Sequence, residues 1–379
     1  MIPGDIGAEI ASLLVAEAAA GELPAQAAEL RAAGTWRPAP ADAGGGPGTY
    51  ATSLPLALAG LAGLPAARVA ALLASGLAEL PWISVARVTG GGYLTVTVTT
   101  RHLASLGARI VAAGQAAADS DALAGTRLTA PGLMDPGEAA SWAQAWRRQR
   151  DAVSGRLART AGAEVLFLDS QQILRTASPT QAGSGFVPAA GTPAHRGRVH
   201  AAVAYQGTDA VRYALARTSA PKADLIRRQL ALPRDLANPF VTVRYAHADA
   251  ASTLRWAASL GAAQDPPGAR RPARDPTAHE LLPPELALLD VMSWLPEYVA
   301  AAARRRRPAE LAAYLERLAV TWLDCNQACP ALPFRGAAAP AVATGTLAAA
   351  RLGLADAARA ALACGLGLLG IAAPDRLVS

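Results

Sequence analysis

Apolar positions recur at helical spacing over most of the chain, and only a few short stretches alternate in the manner of strands. In residues 309–328, Leu311, Leu315, Leu318 and Trp322 lie three or four positions apart, which is typical of the core-facing stripe of a helix. Comparable patterns predict further helices at residues 4–20, 54–60, 65–80, 101–118, 138–161 and 286–306, and a final helix or helix pair at 344–369. The hydrophobic pattern therefore predicts a mainly α protein.

Two runs of alternating β-branched residues, 83–88 and 93–99, flank the sequence Gly90-Gly91-Gly92. This arrangement predicts a β-hairpin with a glycine turn. Together with the surrounding helices it indicates a small N-terminal α+β domain over residues 1–118, a size that can bury a core of its own.

The middle of the chain, residues 119–200, has a mixed pattern. Strands are predicted at 127–130 and 164–169, with the helix 138–161 between them. This pattern predicts a short α/β unit. A third strand is predicted at 199–205. From residue 201 to 379 the pattern is helical and predicts a C-terminal helical bundle.

Two of these C-terminal helices begin with strong local signals. Thr208 is predicted as the N-cap of the first, with Asp209 in its first turn. The second follows Asn238, again a predicted N-cap, with Pro239 at the first helical position. It concentrates Tyr, His and Arg in a chain that is only 5% aromatic. Such a helix suits stacking on unpaired bases, and it equally suits a core helix whose polar tips reach internal partners.

This pair of helices resembles the start of the anticodon-binding helical domain, of the DALR type, in arginyl-tRNA synthetases. In that family a D-A-x-R-Y helix leads to an N-P-x-x-x-V-Q-Y-A-H-A-R helix. The matching residues are Asp209, Arg212, Tyr213, Asn238, Pro239, Val243, Tyr245, Ala246, His247 and Ala248. Arg244 stands where the family has Gln, and Asp249 where it has Arg. The end of the chain, residues 365–377, also resembles the family's ending, with Leu377 in place of Met.

The N-terminal region carries a second part of the resemblance. Residues 48–53 and 90–95 resemble the G-D-Y-A-T-N and G-P-G-F-x-N segments of the synthetase domain that contacts the tRNA elbow. By this resemblance the elbow-contact candidates are Tyr50, Ser53, Tyr93 and Thr95. Ser53 and Thr95 replace family asparagines, which removes two amides suited to reading bases. Alternatively, the shared residues only build the domain.

The catalytic signatures of class I synthetases are missing from the sequence. Their H-x-G-H motif needs two histidines three positions apart. The five histidines are His102, His195, His200, His247 and His279, and no two have that spacing. The single lysine, Lys222, lies in Pro-Lys-Ala-Asp, which does not resemble the K-M-S-K loop. The stretch 118–200 is also short for a nucleotide-binding catalytic domain. We therefore expect neither catalytic residues nor a cofactor.

Composition adds weaker indications. The formal net charge is +6 and the pI about 9.6, which fits a polyanionic partner and fits an ordinary basic protein nearly as well. Three cysteines without framework spacing indicate reduced thiols in the cytoplasm. Cys325 and Cys329 lie one helical turn apart but lack further ligand residues nearby, so no metal site is expected. Neither a signal peptide nor an uninterrupted apolar run of membrane-spanning length is expected.

The sequence thus predicts a non-catalytic, synthetase-like tRNA-binding protein, with tRNA-Arg among the candidate partners. The candidate anticodon contacts are Arg212, Tyr213, Asn238, Arg244, Tyr245, His247 and Arg376. Two alternatives stay open: an arginine–tRNA ligase with degenerate motifs, and a protein-interaction scaffold that has lost RNA binding. The run Arg304–Arg307 either complements a helix dipole or contacts phosphate.

Overall fold

The structure, a computed structural model, describes residues 2–29, 36–39, 44–168, 193–260, 281–332 and 346–377. Helices dominate these residues, as the hydrophobic pattern predicts. The chain divides into two compact units, each built from separate stretches of sequence. The first unit comprises residues 1–117, 250–297 and 321–360, and the second comprises residues 118–249, 298–320 and 361–379.

The first unit begins with an α+β arrangement. Its helices are α1 (Ile2–Ala19), α2 (Leu54–Ala62), α3 (Ala66–Ala78) and α4 (Thr100–Ala113). Its strands are β1 (Trp36–Pro38), β2 (Thr49–Thr52), β3 (Ile83–Thr89) and β4 (Tyr93–Val98). The strands form one antiparallel sheet in the order β1-β2-β4-β3.

The β3–β4 pair confirms the predicted hairpin. Its turn is the Gly90–Gly92 segment, in which Gly92 has a φ of 107°. A β-carbon at Gly92 would lie 2.6 Å from the Ala66 side chain at the start of α3. Only glycine fits this position, because it tolerates both the positive φ and the close approach.

Apolar residues at helical spacing build the core of the first unit. In α1, Ile2, Ile6, Ile10 and Leu14 recur every four residues and are fully buried. The unit also contains α10 (Pro283–Ser293). There the buried Glu285 pairs with Arg351, with 2.9 Å between Oε1 and Nε. Its other carboxylate oxygen accepts the Leu282 N–H at the start of α10.

The second unit contains the α/β element predicted from the middle of the chain. Strands β5 (Arg127–Pro131) and β6 (Glu164–Leu168) pair in parallel, and α5 (Trp142–Thr160) connects them. Gly155 allows α5 to approach the sheet, since a β-carbon there would meet the Ala130 and Phe167 side chains. This confirms a short βαβ unit.

Helices form the rest of the second unit. They are α6 (Pro193–Gln206), α7 (Thr208–Arg217), α8 (Ala223–Leu230), part of α9 (Pro239–Ser259), part of α11 (Leu295–Arg305), part of α12 (Pro308–Ala328) and the end of α13 (Thr346–Leu369). Trp142, Trp146, Val199, Val211 and Leu215 lie in its core.

Three local predictions are corrected by these elements. Residues 199–205 are helical rather than a strand, because Val199 faces the core at helical spacing and the alanine-rich sequence favours a helix. Thr208 is the first helical residue of α7, and Gly207 occupies the N-cap position. The single helix predicted at 286–306 is two helices, α10 and α11, separated at Trp294.

Two apolar helical stretches, Pro283–Arg305 and Leu347–Leu369, are long and hydrophobic enough to cross a membrane, with mean hydropathies of 1.3 and 1.5. The bent pair α2 and α3 also qualifies if counted as one span. Charged residues such as Asp290 and Arg351 interrupt these stretches, and length and composition alone do not place a helix in a bilayer, so the expectation of no membrane span stays a prediction. Within the protein, however, 61% and 67% of the two windows are buried. A helix that is apolar on most sides is typical of a protein core as well as of a membrane span.

Candidate nucleic-acid interface

A cleft of about 350 Å³ lies between α7, α8 and the start of α9 in the second unit. We call it the α7–α9 cleft. Its lining residues are Gln206, Ala210, Tyr213, Ala214, Gln229, Leu230, Arg234, Asn238, Phe240, Val241, Arg244 and Leu377. Three of the predicted anticodon contacts, Tyr213, Asn238 and Arg244, are among them. The cleft combines aromatic and cationic side chains, which is the chemistry that binds unpaired bases.

Tyr213 forms a fixed part of the cleft wall. Its ring is buried, and its hydroxyl donates to Glu316 Oε1 at 3.1 Å. The same carboxylate pairs with Arg217 through both oxygens, at 2.6 and 3.2 Å. Burial raises the pKa of Tyr213 well above its ordinary value, and the neighbouring Glu316 charge raises it further. The hydroxyl therefore stays protonated and keeps donating at neutral pH.

Arg244 is the cation of the cleft whose hydrogen bonding is incomplete. Its guanidinium carbon lies 5.2 Å from the centre of the Phe240 ring, and that ring lies 5.5 Å from the Tyr213 ring. Arg244 Nε is buried and has no hydrogen-bond partner among the described residues. A buried donor without a partner is unfavourable, and Arg244 as a whole is half-buried, so part of its side chain stays accessible.

Asn238 and Arg234 occupy the rim of the cleft. The predicted N-cap role of Asn238 is confirmed, because Asn238 Oδ1 accepts the Phe240 N–H at 3.1 Å. Its Nδ2 donates to the carbonyl of Pro233 at 3.0 Å, so both ends of the amide are engaged. Arg234 is exposed, and its contacts with Gln206 and the Tyr205 carbonyl are both long, at 3.4 Å.

Arg212 and His247 hold the C-terminal tail instead of facing the cleft. Arg212 donates to the carbonyls of Gly370 and Met134, at 3.0 and 3.3 Å. His247 is buried, and its Nδ1 lies 3.0 Å from the Pro374 carbonyl. These contacts bring the tail to the cleft, where Leu377 contributes to the lining. The neighbouring Arg376 is exposed.

The end of α13 is held by two residues, Arg156 and Gln149, that are not among the contacts predicted from the sequence. Arg156 donates to the carbonyls of Gly367 and Leu368, at 2.6 and 3.2 Å, and Gln149 donates to that of Leu369 at 2.9 Å. Carbonyls at a helix C-terminus lack internal partners and carry partial negative charge, so these donors stabilise the end. The signal in the sequence was a pair of polar residues seven positions apart on the core face of α5.

Tyr245 lies outside the cleft lining. Its side chain is 38% exposed, one position beyond Arg244 on α9. An exposed ring beside a cationic cleft can stack on a base without further rearrangement.

The elbow-contact candidates lie in the first unit and differ in accessibility. Tyr50 is buried, donates to Ser293 Oγ at 2.9 Å and packs on Trp294. Thr95 is also buried, with its hydroxyl 2.7 Å from that of Thr89. Ser53 and Tyr93 are half-buried, and Arg37 covers the Tyr93 ring at 4.1 Å. Tyr50 and Thr95 therefore have internal partners, whereas Ser53 and Tyr93 keep some exposed surface.

Within the described ranges, no group of three or more His, Cys, Asp and Glu side chains is arranged to hold a metal ion. Cys325 and Cys329 are buried free thiols. Burial raises the pKa of Cys325 to about 12, so this thiol stays protonated at neutral pH.

Comparison with known proteins relates the C-terminal part of the chain, which includes Arg244 and Leu377 of the cleft lining, to a family. Residues 243–377 match the DALR anticodon binding domain. The arginine–tRNA ligase of Frankia alni is 38% identical over 187 residues, which cover 47% of this chain and 30% of the relative. That of Kineococcus radiotolerans is 38% identical over 173 residues, covering 45% of this chain and 29% of the relative. The matched stretch thus spans under a third of each relative.

The fold as a whole is similar to that of a solved synthetase. Thermus thermophilus arginyl-tRNA synthetase matches with a TM-score of 0.51 and 16% identity, over 98% of this chain and 100% of that chain. At this identity the likeness concerns the fold alone. The resemblance stated from the sequence is confirmed for the DALR-type region and for the fold.

Proposed function

We propose that this chain is a non-catalytic tRNA-binding protein that holds unpaired nucleotides of the anticodon loop in the α7–α9 cleft. One observation carries the proposal. Arg244, with a buried Nε that lacks a partner among the described residues, lies over Phe240 inside a cleft. This cleft borders the region that matches an anticodon binding domain.

The cleft offers two kinds of contact to a single-stranded loop. A base that enters beside Phe240 and Arg244 stacks on a planar guanidinium or ring, and its edge accepts a hydrogen bond from Arg244. Arg234 and Arg376 are exposed near the rim, where they suit contacts with phosphates. Tyr245 provides a further stacking surface. The partner class is tRNA, with tRNA-Arg the first to test.

The non-catalytic part of the proposal rests on the sequence and on the α/β unit. No two histidines of this chain have the spacing of the H-x-G-H motif. Among the described residues, the βαβ unit contains a sheet of two strands, whereas dinucleotide-binding domains are built on larger parallel sheets. The buried free thiols fit a reducing compartment, so we propose a cytoplasmic location.

Titration of purified protein with transcribed tRNA at several salt concentrations tests the binding. Replacing Arg244 by Ala is expected to weaken affinity about tenfold, because a stacking and hydrogen-bonding contact is worth about 1–3 kcal/mol. Arg228→Ala is the matched control, since Arg228 is exposed on α8 outside the cleft lining. Absence of wild-type binding even at low salt would contradict the proposal.

The named activity of the relatives supports a second candidate, arginine–tRNA ligation. Arginine-dependent exchange of pyrophosphate into ATP measures the activation step directly. Sustained exchange would overturn the non-catalytic part of the proposal and leave the tRNA-binding part standing. If the fold serves only as a protein scaffold, both exchange and tRNA binding will be absent.

A further inference from the structure

A second cleft, of about 750 Å³, lies where α11 meets α12 in the second unit. We call it the arginine cleft. Its polar lining includes Trp146, Arg150, Thr218, Arg305, Arg306 and Arg307. These residues come from three separate parts of the sequence, and none belongs to the α7–α9 cleft.

The arginines of this cleft outnumber the carboxylates that they contact. Arg150 and Arg306 share Asp151 Oδ1, at 2.7 and 3.0 Å. Arg305 pairs with Glu310 at 2.9 Å, and Arg307 lies only within 3.9 Å of the same carboxylate. Among the described residues, four guanidinium groups thus face two carboxylates. The side chains of Arg305, Arg306 and Arg307 are 61%, 64% and 71% exposed, so their remaining donors are accessible from solvent.

Arg306 occupies a backbone position that ordinarily favours glycine. Its φ is 52°, in the left-handed region. The Arg306 N–H donates to the Ala303 carbonyl and the Arg307 N–H to that of Ala302, at 3.0 and 2.9 Å. This is the Schellman pattern of a helix C-terminus, in which the left-handed residue is usually Gly. A strained arginine at a cleft indicates a use for its side chain.

We infer that the arginine cleft binds backbone phosphates of the same RNA that the α7–α9 cleft binds. Guanidinium forks pair bidentately with phosphate, and their charge attracts the RNA backbone. Helix α7 connects the two sites, because Ala214 lines the first cleft and Thr218, the C-cap residue of α7, lines the second. Positions four apart in a helix are separated by about 6 Å along its axis, so a strand of a few nucleotides reaches from one cleft to the other.

This inference rests on the proposed function. The salt dependence of RNA affinity distinguishes phosphate contacts in the cleft from general attraction by positive charge. The test compares Arg306→Gln/Arg307→Gln with the control Arg147→Gln/Arg304→Gln. Both doubles remove two exposed charges, but Arg147 and Arg304 do not line the cleft. Against transcribed tRNA, the slope of log affinity on log salt is expected to fall by about 0.7 per lost phosphate contact only in the cleft double. Equal losses in both doubles would overturn the inference.

Arg306→Gly separates binding from folding. Glycine suits the left-handed backbone at this position, so the variant is expected to melt at the same temperature as the wild type or higher. RNA affinity is nevertheless expected to fall severalfold, because one phosphate-pairing fork is gone. Unchanged affinity in a folded Arg306→Gly variant would contradict the role of this side chain. Asp151→Asn is expected to tighten binding, since it removes a competing carboxylate.

Titration with inorganic pyrophosphate distinguishes failure of this inference from failure of the proposed function. If the wild type binds no tRNA, the proposed function fails, but the anion site is still measured directly. Pyrophosphate binding that is lost in the cleft double and kept in the control supports the site. Lack of binding to both tRNA and pyrophosphate would overturn it.

Discussion

Arg212 and Arg244 carry the same guanidinium group, yet the protein uses them differently. Arg212 donates to two backbone carbonyls and holds the chain's end in place. Arg244 lines a cleft. The Nε atoms of both side chains are buried without a partner among the described residues, so the two arginines differ in what the rest of each guanidinium group contacts. The residue types in the motif identified a region of interest, but they did not identify which side chain faces a ligand.

Tyr213 has a structural role that can be measured. Replacement of Tyr213 by Phe removes the hydroxyl that donates to Glu316. The expected loss in the free energy of unfolding is about 1 kcal/mol, the usual net contribution of a hydrogen bond, because Arg217 still pairs with the carboxylate. Denaturant unfolding measures it. The matched control is Tyr245→Phe at an exposed ring, where we expect little change; equal losses in both variants would contradict this assignment.

At the scale of elements, two helices end in the same hydrogen-bond pattern with different residues in the left-handed position. Gly370 follows α13 with a φ of 78°, and Arg306 follows α11 with a φ of 52°. At both ends the next two N–H groups return to the last turn. The pattern predicts opposite outcomes when the residue at each position is exchanged.

Gly370→Ala is expected to destabilise the protein by about 1–2 kcal/mol, because an L-residue in the left-handed region carries that cost. The Leu133 side chain adds to it, since a β-carbon on Gly370 would lie 2.6 Å away. Arg306→Gly is expected to stabilise by up to about 1 kcal/mol for the converse reason. Thermal unfolding of both variants checks the pair, and a shift of the same sign in each would show that local backbone conformation does not dominate at these ends.

The error at residues 199–205 also belongs to the scale of elements. Short apolar runs fit a strand or a buried helix equally well by pattern. The structure places Val199 in a core with Trp142 and Val211, and this packing selects the helix. By contrast, the N-cap at Asn238 depends on a contact two residues away and was predicted correctly.

At the scale of the whole molecule, buried acidic groups predict loss of stability in alkali. Burial raises the pKa of Cys325 from 9.0 to about 12 and that of Cys364 to about 11. It also raises the pKa values of Tyr50 and Tyr213. A group whose folded pKa is raised favours the folded state below its unfolded pKa, and this contribution is lost as pH rises through the folded value. The free energy of unfolding should therefore decrease from about pH 9 to pH 12.

Thermal unfolding across that range, in reducing buffer, measures the decrease. The variant Cys325→Ala is expected to show a shallower decline than the wild type, because one of the raised pKa values is removed. A stability that stays flat between pH 9 and 12 would contradict the assignment.

Sequence alone determined most of the helices and strands and the relationship of this protein to a DALR-type domain. Helical periodicity, the glycine turn of the hairpin and the cap at Asn238 are local, so each is encoded in neighbouring residues. The ordered match to a DALR-type domain was likewise visible along the chain. These features were confirmed by the fold and by the matched family.

Only the tertiary structure decided which polar residues are available to a partner. The ring Nδ1 of His247 lies within hydrogen-bond distance of the Pro374 carbonyl, 127 positions away. The Tyr213 hydroxyl donates to Glu316, 103 positions away. The arginine cleft assembles Trp146 and Arg150, Thr218 and Ser219, and residues 305–310. Burial and hydrogen-bond partners depend on such distant contacts, and no local pattern contains them. This is why the sequence identified the DALR-type region, whereas the packing separated the internal supports in this region from the residues that remain candidate contacts.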